Sequence, residues 1–443
     1  MAEYSKRMGF IVSLLLLIAI PVQGQDTLSV SDAVQIALEN NFSIRIAKNN
    51  AEIANNNNTI GNAGFLPNVN ANGSFTRRVQ NNVTNFSNDN IADINNSGVI
   101  SSVYSYGIDA SWTIFDGLTM FATSDRLDFQ MDISEEQAQL QVEQVLADII
   151  STYFQLVGQQ QAYHVLQNTV EVSQERIRIA ETKLDLGSGS EYDLLQARAD
   201  LNADRAALIR SNTGLKQAKI LLNQILASEV NLNFDVQDTI ELAEPLTLDQ
   251  LLEEALQQNK ELSISRLNEQ VANSEIREIT GEWFPQISVN GGYGYTRNEA
   301  SVGFTEFSEN RGFNFGVTAS VNLFSGFNKK RRRENAQVEL KNEQLRIQEL
   351  ELNIQAQVKQ VYEQYSDALN LIDLEEENLS ITEQSLDIAL ERFRLGTINS
   401  VELREAQLTL LNAQNRLIAA QIEAKTTEVQ LLRISGRLLR QAK

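Results

Sequence analysis

The chain has 443 residues, a formal charge of −21, no cysteine and one histidine. Such acidity excludes a nucleic-acid partner, which needs clustered Lys and Arg against phosphate, and the lack of cysteine excludes disulfides, thiolate metal sites and a lipid-modified N-terminal cysteine. His164 has no second histidine or cysteine with which to complete a metal site or nucleophilic pair, and no P-loop is present, so neither an enzyme nor a cofactor is expected.

Residues 1–24 read as a cleaved secretory signal. Lys6 and Arg7 precede the apolar run Phe10 to Ile20, and Val22-Gln23-Gly24 supplies small residues for cleavage. The run is shorter than the about 20 apolar residues of a membrane-spanning helix. Removing the signal takes Glu3, Lys6 and Arg7 and leaves a charge of −22.

The remainder divides into two copies of one plan, 25–245 and 246–443. Ser29, Pro67 and Phe75 return as Thr247, Pro285 and Tyr293 at an offset of 218; Phe115-Asp116-Gly117, Tyr153 and Leu186-Gly187 return as Phe324-Ser325-Gly326, Tyr362 and Leu395-Gly396 at 209. The change of offset falls between Phe75 and Gly107, so one hairpin loop differs in length while the rest keeps register. Ser29-x-x-Asp32 and Thr247-x-x-Gln250 fit the capping-box pattern and start helices expected to run to about Ala63 and Gly281.

Strand hairpins follow, over about 66–115 and 286–324. Val69, Ala71, Gly73 and Phe75 alternate with Asn and Ser, as do Tyr104 to Ile114, Ile287 to Tyr295 and Phe313 to Leu323. A soluble amphipathic sheet carries charge on its wet face, whereas here that face is Asn, Ser, Thr and Gly. Aromatic residues crowd the other face and its ends at Trp112, Phe115, Trp283, Phe284 and Phe324. This is the pattern of a lipid-facing wall with interfacial aromatics and a polar lumen. Four strands cannot close a barrel, and open edges are not tolerated in lipid, so several chains must contribute. Two copies would give a filled eight-stranded barrel; three would leave a channel.

Each second strand leads into a proline-free helix, 118–186 and 327–395, of about 100 Å. Val142, Ile149, Leu156, Tyr163, Val170, Ile177 and Leu184 keep a seven-residue interval, as do Val358, Tyr365, Ile372, Leu379, Leu386 and Phe393, which predicts coiled-coil packing. Gly187 and Gly396 suit left-handed helix ends. Ser190-x-x-Asp193 and Asn399-x-x-Glu402 then cap return helices over 190–227 and 399–436. A return and an opening helix stacked end to end would match one long helix, with 229–244 and the termini forming a belt at mid-height.

Two copies of helix, hairpin, very long helix, Gly turn and return helix resemble the TolC family of outer-membrane efflux proteins across essentially the whole mature chain. The best local signature is the paired turn, Leu186-Gly-Ser-Gly-Ser-Glu-Tyr-Asp-Leu-Leu-Gln-Ala197 and Leu395-Gly-Thr-Ile-Asn-Ser-Val-Glu-Leu-Arg-Glu-Ala406. The resemblance implies an α+β homotrimer in the outer membrane, a twelve-stranded barrel above a periplasmic helical tube. It also implies a periplasmic adaptor and an inner-membrane pump as partners, with passive conduction in efflux or type I secretion. The hairpin tips, Gly187, Ser190, Asp193, Phe393, Gly396, Ile398 and Asn399, would meet the adaptor and gate the tube. Glu402 and Glu405 would ring the periplasmic entrance, although Glu402 also suits a cap and Glu405 a solvated surface. Phe393 and Ile398 cannot make the polar closing links of TolC, so apolar packing would be the latch. The basic run Lys329 to Arg333 fits either lipid phosphate or solvent. A rival class is a trimeric tether, or an adhesive stalk presenting the Asn-rich loop from Arg77 to Ser102, without transport.

Overall fold

The computed structural model describes residues 27–88, 90, 92–237, 239–242, 245–303 and 305–441; the signal segment expected over 1–24 lies outside them. In chain order the first half contains β1 (Thr27–Leu28), α1 (Val30–Asn40), α2 (Phe42–Asn57), β2 (Asn68–Thr84), β3 (Ile94–Phe115), α3 (Thr119–Asp185), α4 (Glu191–Ile225) and β4 (Asp235–Val236). The second contains α5 (Leu248–Gln258), α6 (Lys260–Gly281), β5 (Gln286–Ala300), β6 (Phe307–Ser320), α7 (Asn328–Arg394), α8 (Ser400–Ile434) and α9 (Leu438–Gln441). Helices α3 and α7 have 67 residues each, and α4 and α8 have 35 each.

The opening helices start as expected in one half only. Ser29 Oγ accepts the Asp32 amide at 3.1 Å, and the Asp32 carboxylate accepts the Ser29 amide at 3.2 Å. Thr247 makes no side-chain cap, and α5 begins on the backbone bond from Leu251 to Thr247 alone. Neither opening helix is continuous. Asn41 and Asn259 interrupt them with ψ near 126° and 125°, outside the helical region.

Each of these asparagines is a joint. The Asn41 side-chain carbonyl caps α2 by accepting the Ser43 and Ile44 amides, while its Nδ2 donates to the Ile225 carbonyl, the C-terminal residue of α4, at 2.7 Å. Asn259 caps α6 through the Leu262 amide and donates to the Ile434 carbonyl of α8 at 3.1 Å. One side chain thus satisfies free groups on two helix ends, and stacks α2 on α4 and α6 on α8. The stacked pairs lie along α3 and α7: α3 contacts α2, α4, α6 and α8, and α7 contacts α5, α6 and α8.

The core is where the stacks meet. Ala33, Ala37 and Ile44 pack on Leu146, Ile149, Leu156 and Val157 of α3 with Leu222, Phe234 and Val236. In the second half Leu251, Ala255 and Leu262 pack on Val358, Val361 and Tyr365 of α7. β1 and β4 form a parallel ladder, and the buried Tyr153 hydroxyl donates to the Leu28 carbonyl at 2.7 Å and accepts the Gln237 amide at 3.3 Å. The described part of 229–244 therefore packs beside the middle of α3.

The sheet has strand order β2-β3-β5-β6, antiparallel throughout, so β2 and β6 are edges without partners. On one face Phe75 opposes Tyr104, Tyr106 opposes Tyr295 and Tyr293 opposes Phe313, with ring centroids 4.9, 4.6 and 4.7 Å apart. Such cross-strand aromatic pairs fix register. On the other face Ser111 bonds Asn290 at 2.9 Å, and Asn290 bonds Thr318 at 3.2 Å. β6 ends at Ser320, short of the expected Phe324, because its partner β5 begins at Gln286 after Pro285, which has no amide to extend the ladder.

Candidate functional site

The two hairpin ends lie side by side at the far end of the helices from the sheet. Both turns are Schellman motifs: Ser188 N reaches Lys183 O and Gly187 N reaches Leu184 O, while Thr397 N reaches Arg392 O and Gly396 N reaches Phe393 O. Gly187 and Gly396 have φ of 72° and 76°, a conformation that favours glycine. The preceding Leu186 and Leu395 are left 77% and 78% exposed, apolar caps on the outermost points of the hairpins.

A cleft of about 420 Å³ separates the turns, lined by Lys183, Ser190, Asp193, Phe393, Ile398 and Glu402 among others. Phe393 is buried against Ile179 of the first hairpin and Leu386 and Leu403 of the second, with Ile398 partly buried beside it. Lys183 Nζ stands 4.0 Å from the Phe393 ring centroid and donates to the Phe393 carbonyl. Burial lowers the Lys183 pKa, and Asp193 opposes that shift. Ser190 caps α4 by accepting the Tyr192 amide at 3.2 Å, without a reciprocal bond from Asp193.

Asn399 accepts the Val401 and Glu402 amides at 2.9 and 3.0 Å, and Glu402 accepts the Asn399 amide at 3.5 Å. Glu402 is therefore engaged in a cap, yet it and Glu405 are both exposed, one helical turn apart on α8. Trp112, Trp283, Phe284 and Phe324 are exposed at the opposite end, and Phe115 is half-buried; the Trp112 indole donates to the Phe65 carbonyl at 2.8 Å.

Behind the tip lies a buried polar network that the sequence reading missed. Arg176 of α3, fully buried, donates to Ser400 Oγ at 3.0 Å and pairs with Asp200 of α4. Asp204 of α4 accepts both guanidinium branches of Arg404 at 2.7 and 2.8 Å and the Ser173 hydroxyl at 2.5 Å. Gln407 then donates to Thr169 O and Ser173 Oγ. A fork-to-fork pair shielded from water is among the stronger polar contacts available, and it binds the first hairpin to α8. The available signal was charge at core-facing helix positions.

Among the described residues no group of three or more His, Asp and Glu could hold a metal, and no helix is long and apolar enough to cross a membrane. Long helices below an antiparallel sheet, with a shared tip, define an outer-membrane channel fold. Residues 33–228 and 251–437 match the family described as outer membrane efflux protein, and the chain belongs to that family. It resides accordingly in the outer membrane, and its fold is TolC-like. The outer membrane efflux protein BepC of Brucella suis is 20% identical over 75% of this chain and 72% of its own. The cation efflux system protein CusC of Escherichia coli O157:H7 is 23% identical over 92% and 85%. Among solved structures, the Campylobacter jejuni CmeC outer membrane channel superposes with a TM-score of 0.76 at 18% identity, covering 92% of this chain and 85% of that one. The outer membrane protein VceC of Vibrio cholerae gives 0.73 at 14%, over 92% and 96%.

Proposed function

We propose that three copies of the chain form a passive conduit, a twelve-stranded barrel in the outer membrane continued by a periplasmic tube of helices. The observation that carries this reading is the open sheet. Four strands with both edges unpaired and both faces largely exposed are incompatible with a lone chain in lipid, where every backbone amide needs a partner. Pairing β6 of one copy with β2 of the next removes all edges at once. The polar face of Asn, Ser, Thr and Gly then lines the lumen.

At the other end the exposed leucines and the cleft between the turns receive a periplasmic adaptor, itself docked to an inner-membrane pump that supplies the energy and selects the cargo. The relatives' names mention cations and antibiotics. Glu402 and Glu405, repeated by symmetry, favour cations at the periplasmic entrance.

Planar-bilayer recording of the purified protein tests this. Conductance steps are expected, with reversal potentials in a KCl gradient showing cation preference that falls toward unity in Glu402→Gln/Glu405→Gln. A protein without conductance, even after Phe393→Ala loosens the tip, would be a tether and not a conduit.

A further inference from the structure

The strongest local departure from the chain's acidity is Lys329-Lys330-Arg331-Arg332-Arg333, in the first turns of α7. Positive charge there opposes the helix dipole. The equivalent stretch of α3, Met120 to Ser124, has no charge, and its helix start is satisfied by Asp116, whose carboxylate accepts the Met120 amide at 2.9 Å. The cluster is therefore not a requirement of the strand-to-helix junction.

Two of its members hold the junction together. Lys329 donates to the Glu282 carbonyl at the end of α6, and Arg332 pairs with the Glu282 carboxylate at 2.7 Å. At about 100° per residue, Lys330 and Arg331 turn away from that side of the helix, and Arg333 follows Lys329 one turn on. All three are exposed. Lys330 approaches Glu334 only to 3.8 Å, Arg331 donates to Asn328 at 3.4 Å, and Arg333 has no ion pair among the described residues.

An apolar belt lies at the same level. Leu323, Phe324 and Phe327 are 90%, 72% and 72% exposed, with Phe324 and Phe327 edge to face at 5.4 Å. Trp283 and Phe284, next to Glu282, are exposed as well. Phe327 is held at φ 62°, a conformation bulky side chains rarely adopt, so its ring is displayed by the turn and not by its own preference. Exposed aromatics beside exposed cations, where strands give way to helices, match the chemistry of a phospholipid headgroup layer, apolar below the phosphate and anionic at it.

We propose that Lys330, Arg331 and Arg333 bind the phosphates of anionic phospholipids in the leaflet on the helix side of the sheet, with Phe324, Phe327 and Trp283 set among their glycerol and acyl groups. The arginines offer forked donors to the phosphodiester oxygens and the lysine a mobile point charge. This rests on the sheet being the membrane-embedded part.

Trp283 is a reporter inside the site, and Trp112 is the only other tryptophan. Full-length Trp112→Phe protein would be reconstituted in phosphatidylethanolamine vesicles doped with brominated phosphatidylglycerol or, at equal bromine content, brominated phosphatidylcholine. The anionic lipid should quench Trp283 at a roughly threefold lower mole fraction. Lys330→Gln/Arg331→Gln/Arg333→Gln should abolish that preference, the swap Lys330→Arg/Arg331→Lys/Arg333→Lys should retain it, and Arg77→Gln/Arg78→Gln at the far end of the sheet should leave it unchanged. Equal quenching by both lipids in the parent, or a preference surviving in the triple Gln variant, would overturn the proposal. Relief of the preference by inorganic phosphate would do so too, assigning the cations to a soluble anion. Loss of self-association in the triple Gln variant with the lipid preference intact would assign them to a neighbouring copy. No quenching by either lipid would instead overturn the membrane placement of the sheet.

Discussion

Glu143 is the residue whose chemistry departs furthest from the ordinary. It is buried on α3, and one carboxylate oxygen has no hydrogen-bond partner. Burial raises its pKa from the ordinary 4.5 to about 7, against the opposing pull of Lys260 on α6 and Arg433 on α8 and with a small push from Glu136. Because the folded pKa lies above the unfolded one, the folded chain holds a proton that the unfolded chain has lost between those two values. Stability is therefore greatest below pH 4.5 as far as this group is concerned, falls as pH rises toward 7, and stays reduced above it. The displacement corresponds to at most about 3 kcal/mol. Glu143→Gln, which keeps the shape and cannot ionise, should raise the thermal midpoint of helical circular dichroism at pH 8 and leave it little changed at pH 5. An equal effect at both values would mean that the carboxylate is well paired when charged.

At the scale of elements, the asparagine joints decide how helices become stacks. Asn41→Asp keeps the oxygen that caps α2 but replaces the donor to Ile225 with an acceptor, whereas Asn41→Ala removes both. Losing a cap costs about 1 kcal/mol, and orphaning a partly buried carbonyl costs up to about 1–3 kcal/mol. Asp should thus be nearly as destabilising as Ala in denaturant unfolding, whereas a simple capping role would leave Asp near the parent. These joints were invisible in the sequence because Asn41 and Asn259 lie within runs whose apolar spacing continues through them. The long helices and paired turns were legible, since heptads, Gly187 and Gly396 are local signals. Ser29 and Thr247 carry like patterns, yet only Ser29 forms the box, so a three-residue motif did not determine geometry. The network of Arg176, Asp200, Asp204 and Arg404 depends on helices up to 224 residues apart in sequence meeting at one place, which periodicity does not encode.

For the whole molecule, the apolar surface left over by one chain specifies what must cover it. The buried heptad of α7, Val358, Tyr365, Ile372, Leu386 and Phe393, is filled within the chain. Two further runs on the same helix are not: Val338, Leu345 and Leu352, then Leu374, Ile381 and Ile388, are 55% to 67% exposed at seven-residue intervals within each run. Phe42, Ile46 and Ile53 expose a comparable stripe on α2. Isolated apolar side chains on a surface need no explanation, but runs at coiled-coil spacing call for another helix. In the proposed trimer that helix comes from the next copy, and the same contacts bring β6 to the neighbouring β2. Ile381→Glu/Ile388→Glu replaces two side chains on the open stripe and none in the filled one. Summed over three interfaces, the lost burial is on the order of 10 kcal/mol. The variant should retain its helical circular dichroism while sedimenting below the mass of the proposed trimer and losing conductance together with assembly. Parental sedimentation by this variant would place the stripe outside the interface, and closure of the sheet would then have to arise from the strands alone.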